Sequence, residues 1–139
     1  MLFHYKALPP ATRGSRKLLY LAGLFNLAAA LTLATLARLA PGLLGVDALS
    51  ASQLIFVDLF AVMVLGFGGG YALAAYDLPR FWPFVAMGAL AKAGVVVIVY
   101  GYFFAGHTAA LTALMASGDA LFAVLFVRLL RAHSQHHTR

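Results

Sequence analysis

The chain has 139 residues, of which 63% are hydrophobic and only 10% charged, with a mean hydropathy of +0.92 and a formal net charge of +6. Soluble domains carry roughly a quarter charged residues, so this composition excludes a water-soluble fold and specifies an integral membrane protein, a single domain over residues 1–139. The lack of cysteine removes thiolate nucleophiles, disulfide exchange, iron-sulfur clusters and cysteine-ligated zinc.

A helix needs about 20 apolar residues to cross the hydrocarbon, and four segments qualify. The first, 17–40, follows a basic stretch with Arg13, Arg16 and Lys17. Its apolar run is too long for the core of a signal peptide, so it reads as a retained helix. Pro41-Gly42 ends it. The second, 52–76, contains the run GFGGG, within which Gly66 and Gly70 form a GxxxG that points to close helix packing. The third, 80–105, begins after Asp77-Leu78-Pro79, and Ala105-Gly106 separates it from the fourth, 107–131. No segment alternates as a lipid-facing strand must. The expected fold is therefore all-α: a four-helix transmembrane bundle running up-down-up-down.

Lys6, Arg13, Arg16 and Lys17 precede the first helix, Arg80 lies between the second and third, and Arg128, Arg131 and Arg139 fall at the end; only Arg38 lies near the opposite side. The positive-inside rule then places both termini in the cytoplasm and the protein in the plasma (inner) membrane. Because these charges flank apolar spans, their natural partner is membrane lipid and not nucleic acid. Tyr20, Tyr76 and Trp82 would mark the inner interface, with Tyr100 and Tyr102 near the outer one.

Each span carries one strongly polar side chain: Asn26, Asp58, Lys92 and Asp119 in turn. A lone charge at the centre of a spanning helix costs about 2.5–3.5 kcal/mol on insertion scales, and a lysine stem is too short to snorkel from the midplane. Lys92 therefore needs a partner. It stands thirteen residues before the turn at Ala105-Gly106, and Asp119 thirteen after it; in an antiparallel hairpin such positions face each other. The spacing predicts a Lys92–Asp119 ion pair. Asn26 has Ala22, Gly23, Ala29 and Ala30 beside it on its helical face, and Gly88 lies one turn before Lys92, so small residues let the backbones close around these groups. Two readings remain open. The cluster is either structural glue that sets helix order, or, with Asp58, a ligand or proton site. Asp58 would need Arg38, water or a ligand as its partner.

The sequence YDLPRFWP forms an interfacial turn: Asp77 is placed to accept from the start of the third helix, Pro79 and Pro83 suit a first turn, Arg80 can pair with Asp77 or lipid phosphate, and Trp82 sits at the interface. His107 reads as an interfacial histidine, and His133, His136 and His137 as part of a disordered polar tail. No histidine lies within a span, so neither a metal centre nor a bis-histidine haem is expected. Ser117 near Asp119 has no histidine in reach, which makes a hydrolytic site poor.

The order GYALAAYDLPRFWP, then GALAK, then SGD before an apolar run, spread over about residues 66–126, resembles the DoxX-like group of small bacterial four-helix membrane proteins. That resemblance implies a compact bundle with both ends inside and an association with quinone-linked redox enzymes; no catalytic residue is carried over, since the amino-terminal half lacks the signature. A small multidrug exporter would need a glutamate in its first helix, and the chain has none. The expectation is a non-enzymatic bundle without a cofactor, whose polar interior binds a small or lipophilic ligand, or which serves as accessory subunit of a membrane complex. The alternatives are a proton-coupled channel or carrier, working as a homodimer because four helices enclose little space, and a quinone-interacting redox subunit.

Overall fold

The computed structural model describes residues 10–135. They form four helices, α1 (Arg13–Leu39), α2 (Ala51–Tyr76), α3 (Leu78–Phe104) and α4 (Ala110–Gln135), with a short 3-10 turn at Pro41–Leu44. All four are long and apolar enough to cross a membrane. Their outer faces expose large apolar side chains such as Leu24, Phe56, Val62, Leu90, Val97 and Leu121, a surface that suits hydrocarbon and not water.

Local chemistry sets the helix ends. Thr12 caps α1 by accepting from the Ser15 amide at 3.2 Å, so the helix starts ahead of the apolar run, at Arg13. The Gln53 side chain accepts from the Ser50 amide at 2.9 Å at the start of α2. Asp77 both ends α2 and caps α3, its carboxylate accepting from the Arg80 amide at 3.3 Å, so a single residue joins these two helices. Pro79 lies in the first turn of α3, but Pro83 lies beyond it, inside the helix. At the far end of α3, Gly106 has φ +77°, and the amides of Gly106 and His107 bond back to Phe103 and Tyr102. This paired closure is the αL helix stop that glycine favours, and it delays α4 to Ala110.

Consecutive helices pack on one another, α1 along α2 and α3 along α4, with α2 also against α3 and only a narrow contact between α1 and α4. The GxxxG expectation needs correction. Gly66 faces open space, and Gly70 is filled by the Phe84 ring; the backbones of α1 and α2 approach instead at Gly23 and Gly68, where a Cβ on Gly23 would lie 3.0 Å from the Gly68 carbonyl oxygen.

Packing is uneven along the bundle. The apolar core comprises Leu19 and Ala22 of α1, Tyr71, Ala74 and Ala75 of α2, Leu78, Val85 and Ala89 of α3, and Phe126 and Leu129 of α4. All belong to the end where the described chain begins and finishes. Toward the other end the buried residues are mainly alanines, Ala30, Ala37, Ala61, Ala113 and Ala116, too small to fill the space between four helices. A cavity of about 460 Å³ occupies that half. Its far end is roofed by the 3-10 turn, whose Leu44 carbonyl accepts from Thr108 Oγ1 at 3.0 Å and Thr112 Oγ1 at 3.2 Å. Gly45 makes this roof fit, with φ +78° and a position where a Cβ would stand 2.3 Å from the Ala109 nitrogen. Gly45→Ala is expected to destabilise by about 1–2 kcal/mol from the left-handed conformation alone, with the backbone clash in addition. Thermal unfolding in detergent checks this: an unchanged midpoint would mean the roof is not held as described.

His133 departs from its expected place in a polar tail. It is buried in the last turn of α4, its Nδ1 2.8 Å from the Leu129 carbonyl oxygen, because α4 runs on past 131 and carries the ring against its own preceding turn. His136 and His137 lie outside the described residues.

Candidate ligand-binding site

The cavity is apolar apart from Thr112 under the roof and its inner end, where Asn26, Tyr71, Lys92 and Asp119 form a floor upon the packed core. Asn26 stands at the middle of α1 and Lys92 near the middle of α3. The Lys92 ammonium donates to Asp119 Oδ1 at 2.5 Å and to Asn26 Oδ1 at 2.8 Å. Asn26 in turn donates through Nδ2 to the Val64 carbonyl of α2 at 2.9 Å. One residue pair therefore ties α3 to α4, and the asparagine extends the tie to α1 and α2.

Three aromatic rings complete the enclosure. The ammonium lies 5.1 Å from the Phe25 ring centroid, 5.6 Å from Phe122 and 5.9 Å from Tyr71, within the range where ring faces attract cations. Two glycines beside the charged residues make room for these rings. A Cβ on Gly118, next to Asp119, would sit 2.5 Å from the tip of Phe25, and a Cβ on Gly88, one turn before Lys92, would sit 2.3 Å from the Tyr71 hydroxyl oxygen. Phe25 also meets Phe122 at 5.2 Å, and Tyr71 meets Phe126 at 4.8 Å, so the cage is braced by the core beneath. Lys92 is thus only 5% exposed, whereas the Asp119 side chain keeps 19% of its surface.

The sequence singled out Asn26, Lys92 and Asp119, and the fold brings them together. Asp58 does not join them. Its carboxylate takes both oxygens to Arg38 Nη2 at 2.8 Å, and the pair is half-exposed, at 41% and 50%. Exposed pairs of this kind contribute about 0–1 kcal/mol. Asp58→Ala is accordingly expected to shift stability by no more than that, additively with changes at Lys92; a strongly non-additive double-mutant cycle would place Asp58 inside the cluster after all.

At the joint between α2 and α3, Arg80 is exposed and lies 5.3 Å over the Phe81 ring, while Trp82 packs at the edge of the core. Tyr100, expected at the outer interface, turns inward, its hydroxyl 2.7 Å from Ser117 Oγ. His107 is exposed beside Tyr102. Among the described residues, no cluster of three or more histidine or carboxylate side chains could hold a metal ion.

Sequence reasoning overlooked Phe25, Tyr71 and Phe122. A signal was present: Phe25 adjoins Asn26, Phe122 stands one turn after Asp119, and Gly88 and Gly118 mark where a neighbouring ring could enter. No family model, curated protein or solved structure matches the chain.

Proposed function

We propose that the protein is a non-enzymatic binding protein of the membrane interior, holding a small lipophilic molecule in the cavity with its polar end on the Lys92–Asp119 floor. The observation that carries this reading is the coincidence of a largely apolar space of about 460 Å³ with one charged end. That division of labour, apolar walls for affinity and a few polar groups for orientation, is the usual build of small-molecule sites. The apolar core below Lys92 favours binding over carriage, since a proton or solute bound for the other face would have to pass Leu19, Tyr71, Val85 and Phe126, all fully buried.

In this reading the bundle runs up-down-up-down. Support comes from the contacts of α1 with α2, in which Arg38 meets Asp58, Asn26 meets Val64, and Gly23 meets Gly68, one number falling as the other rises. Both termini lie in the cytoplasm, because Arg13, Arg16, Lys17, Arg80, Arg128 and Arg131 gather at the packed end and, among the described residues flanking the spans, Arg38 alone lies toward the other. The likeness to the DoxX-like group adds that such a bundle works beside a larger complex of the plasma membrane. It is notable that the three stretches carrying that likeness supply the floor itself: Tyr71 from GYALAAYD, Gly88 and Lys92 from GALAK, and Gly118 and Asp119 from SGD.

The test uses Ala29, which lines the cavity, and its neighbour Ala28, which is exposed on the outer face. Protein purified in nanodiscs is extracted with solvent and the lipophiles are quantified by mass spectrometry. Wild type and Ala28→Phe are expected to carry the same stoichiometric molecule and Ala29→Phe to have lost it. Equal contents in all three would defeat the proposal.

A further inference from the structure

Resting on the binding reading above, we infer that the cavity's guest is an uncharged lipophile ending in a hydroxyl, an alcohol or a phenol, and that Asp119 Oδ2 receives the hydroxyl proton. An ammonium has three protons to donate. Two of those on Lys92 go to Asn26 and Asp119, and the ammonium is otherwise flanked by the rings of Phe25, Tyr71 and Phe122. Asn26 is likewise engaged at both ends, by Lys92 and by the Val64 carbonyl. Thr112 gives its hydroxyl to Leu44, and the Tyr71 phenol is turned against Gly88. The carboxylate of Asp119 differs: only its Oδ1 is hydrogen-bonded among the described residues. No fully buried side-chain nitrogen or oxygen there lacks a partner, so Oδ2 is the oxygen that accounts for the exposure of Asp119 to the cavity.

The floor therefore offers one ionised acceptor, while its remaining donors, the Tyr71 hydroxyl and the second Asn26 N–H, are neutral. A guest ending in a ketone or an ester brings a second acceptor to the carboxylate and can use only those neutral donors. A charged head fares worse, since Lys92 and Asp119 already cancel, and a third charge in apolar surroundings keeps most of its desolvation penalty. A hydroxyl supplies one donor at no charge, and its bond to an ionised oxygen is of the stronger, charge-assisted kind. From Lys92 to Val99, the last α3 residue that lines the cavity, the helix rises about 10 Å, room for a chain of medium length.

Four labelled probes of one chain length decide the matter: 1-decanol, decan-2-one, decanoate and decylammonium, each titrated onto the protein in nanodiscs with empty nanodiscs as the partition background. Saturable decanol binding is expected, at least about tenfold tighter than that of the ketone, and lost in Ala29→Phe. Asp119→Asn, which places an amide donor on the floor, is expected to narrow or reverse the preference toward the ketone. Should that variant fail to fold, the probe series on wild type decides alone. A tighter-binding ketone, acid or amine overturns the hydroxyl assignment while leaving the pocket standing. If no probe binds saturably, or none is displaced by the Ala29→Phe ring, the assignment and the pocket fall together.

Discussion

Asp119→Leu is expected to destabilise the bundle by about 3–5 kcal/mol, the range for stripping one partner from a buried ion pair, and Lys92→Met introduced beside it is expected to restore most of the loss. The leucine leaves an ammonium that is 5% exposed, held by Asn26 alone and surrounded by rings. Attraction to those rings, about 0.5–2 kcal/mol each at best, does not replace a carboxylate at 2.5 Å. Lys92→Met by itself is expected to be the milder single change, because the orphaned carboxylate borders the cavity and keeps 19% of its surface exposed. In the double variant both charges are gone and two apolar side chains of similar bulk fill the space, a replacement that is often neutral or better. Reversible unfolding in mixed micelles, run as a double-mutant cycle, gives the coupling directly. If the two losses simply added, the helices would not be held by this pair.

Gly88→Ala is expected to destabilise by up to about 3 kcal/mol, although the same substitution at Gly94 is expected to be neutral or to stabilise by as much as about 1 kcal/mol. The contrast isolates packing from helix propensity, since both positions lie within α3. At Gly94 nothing stands within 4 Å of an added Cβ, whereas at Gly88 the Tyr71 ring offers contacts of 2.3, 2.5 and 2.8 Å. Tyr71 cannot step aside, being fully buried with Phe126 at its edge. Tyr71→Phe removes the nearest of the three contacts and should recover part of the loss when combined with Gly88→Ala. Thermal unfolding of the four variants reads both the sign and the coupling; equal behaviour of Gly88→Ala and Gly94→Ala would show that the ring does not occupy this notch.

Much of this arrangement was legible in the sequence, and the reasons are physical. Hydrophobic length fixes the number of crossings almost without reference to anything else, so the four spans were plain, to within a few residues at each end. The ends shifted where side chains outside the apolar runs take part, Thr12 before α1 and Asp77 before α3, and where Gly106 holds the chain back from α4. The Lys92–Asp119 pair could be anticipated because a buried charge demands a counterion and a hairpin dictates which residues are level. Asp58 was harder to place. Polarity alone draws it to the other polar groups, and only the position of Arg38, in the last turn of α1, shows that a closer cation lies within reach. Aromatic rings gave no such lead, since Phe25 and Phe122 look like any lipid-facing residue until the helices are turned toward each other. The cavity was beyond sequence reading altogether, for it arises from where Ala29 and Ala30, Ala91 and Ala116 happen to coincide on three separate helices.

The concentration of bulky packing at one end has a mechanical consequence. Local opening is easiest where few apolar contacts must be broken, so thermal breathing should grow steadily from the packed end toward the 3-10 turn. With α2 and α3 joined through the single residue Asp77 at the rigid end, those two helices behave like the arms of a pair of tweezers, able to part at their tips without loosening the grip at the base. Amide exchange would register this as a gradient along every helix, slowest around Ala74 and Val85 and fastest near Leu54 and Phe103.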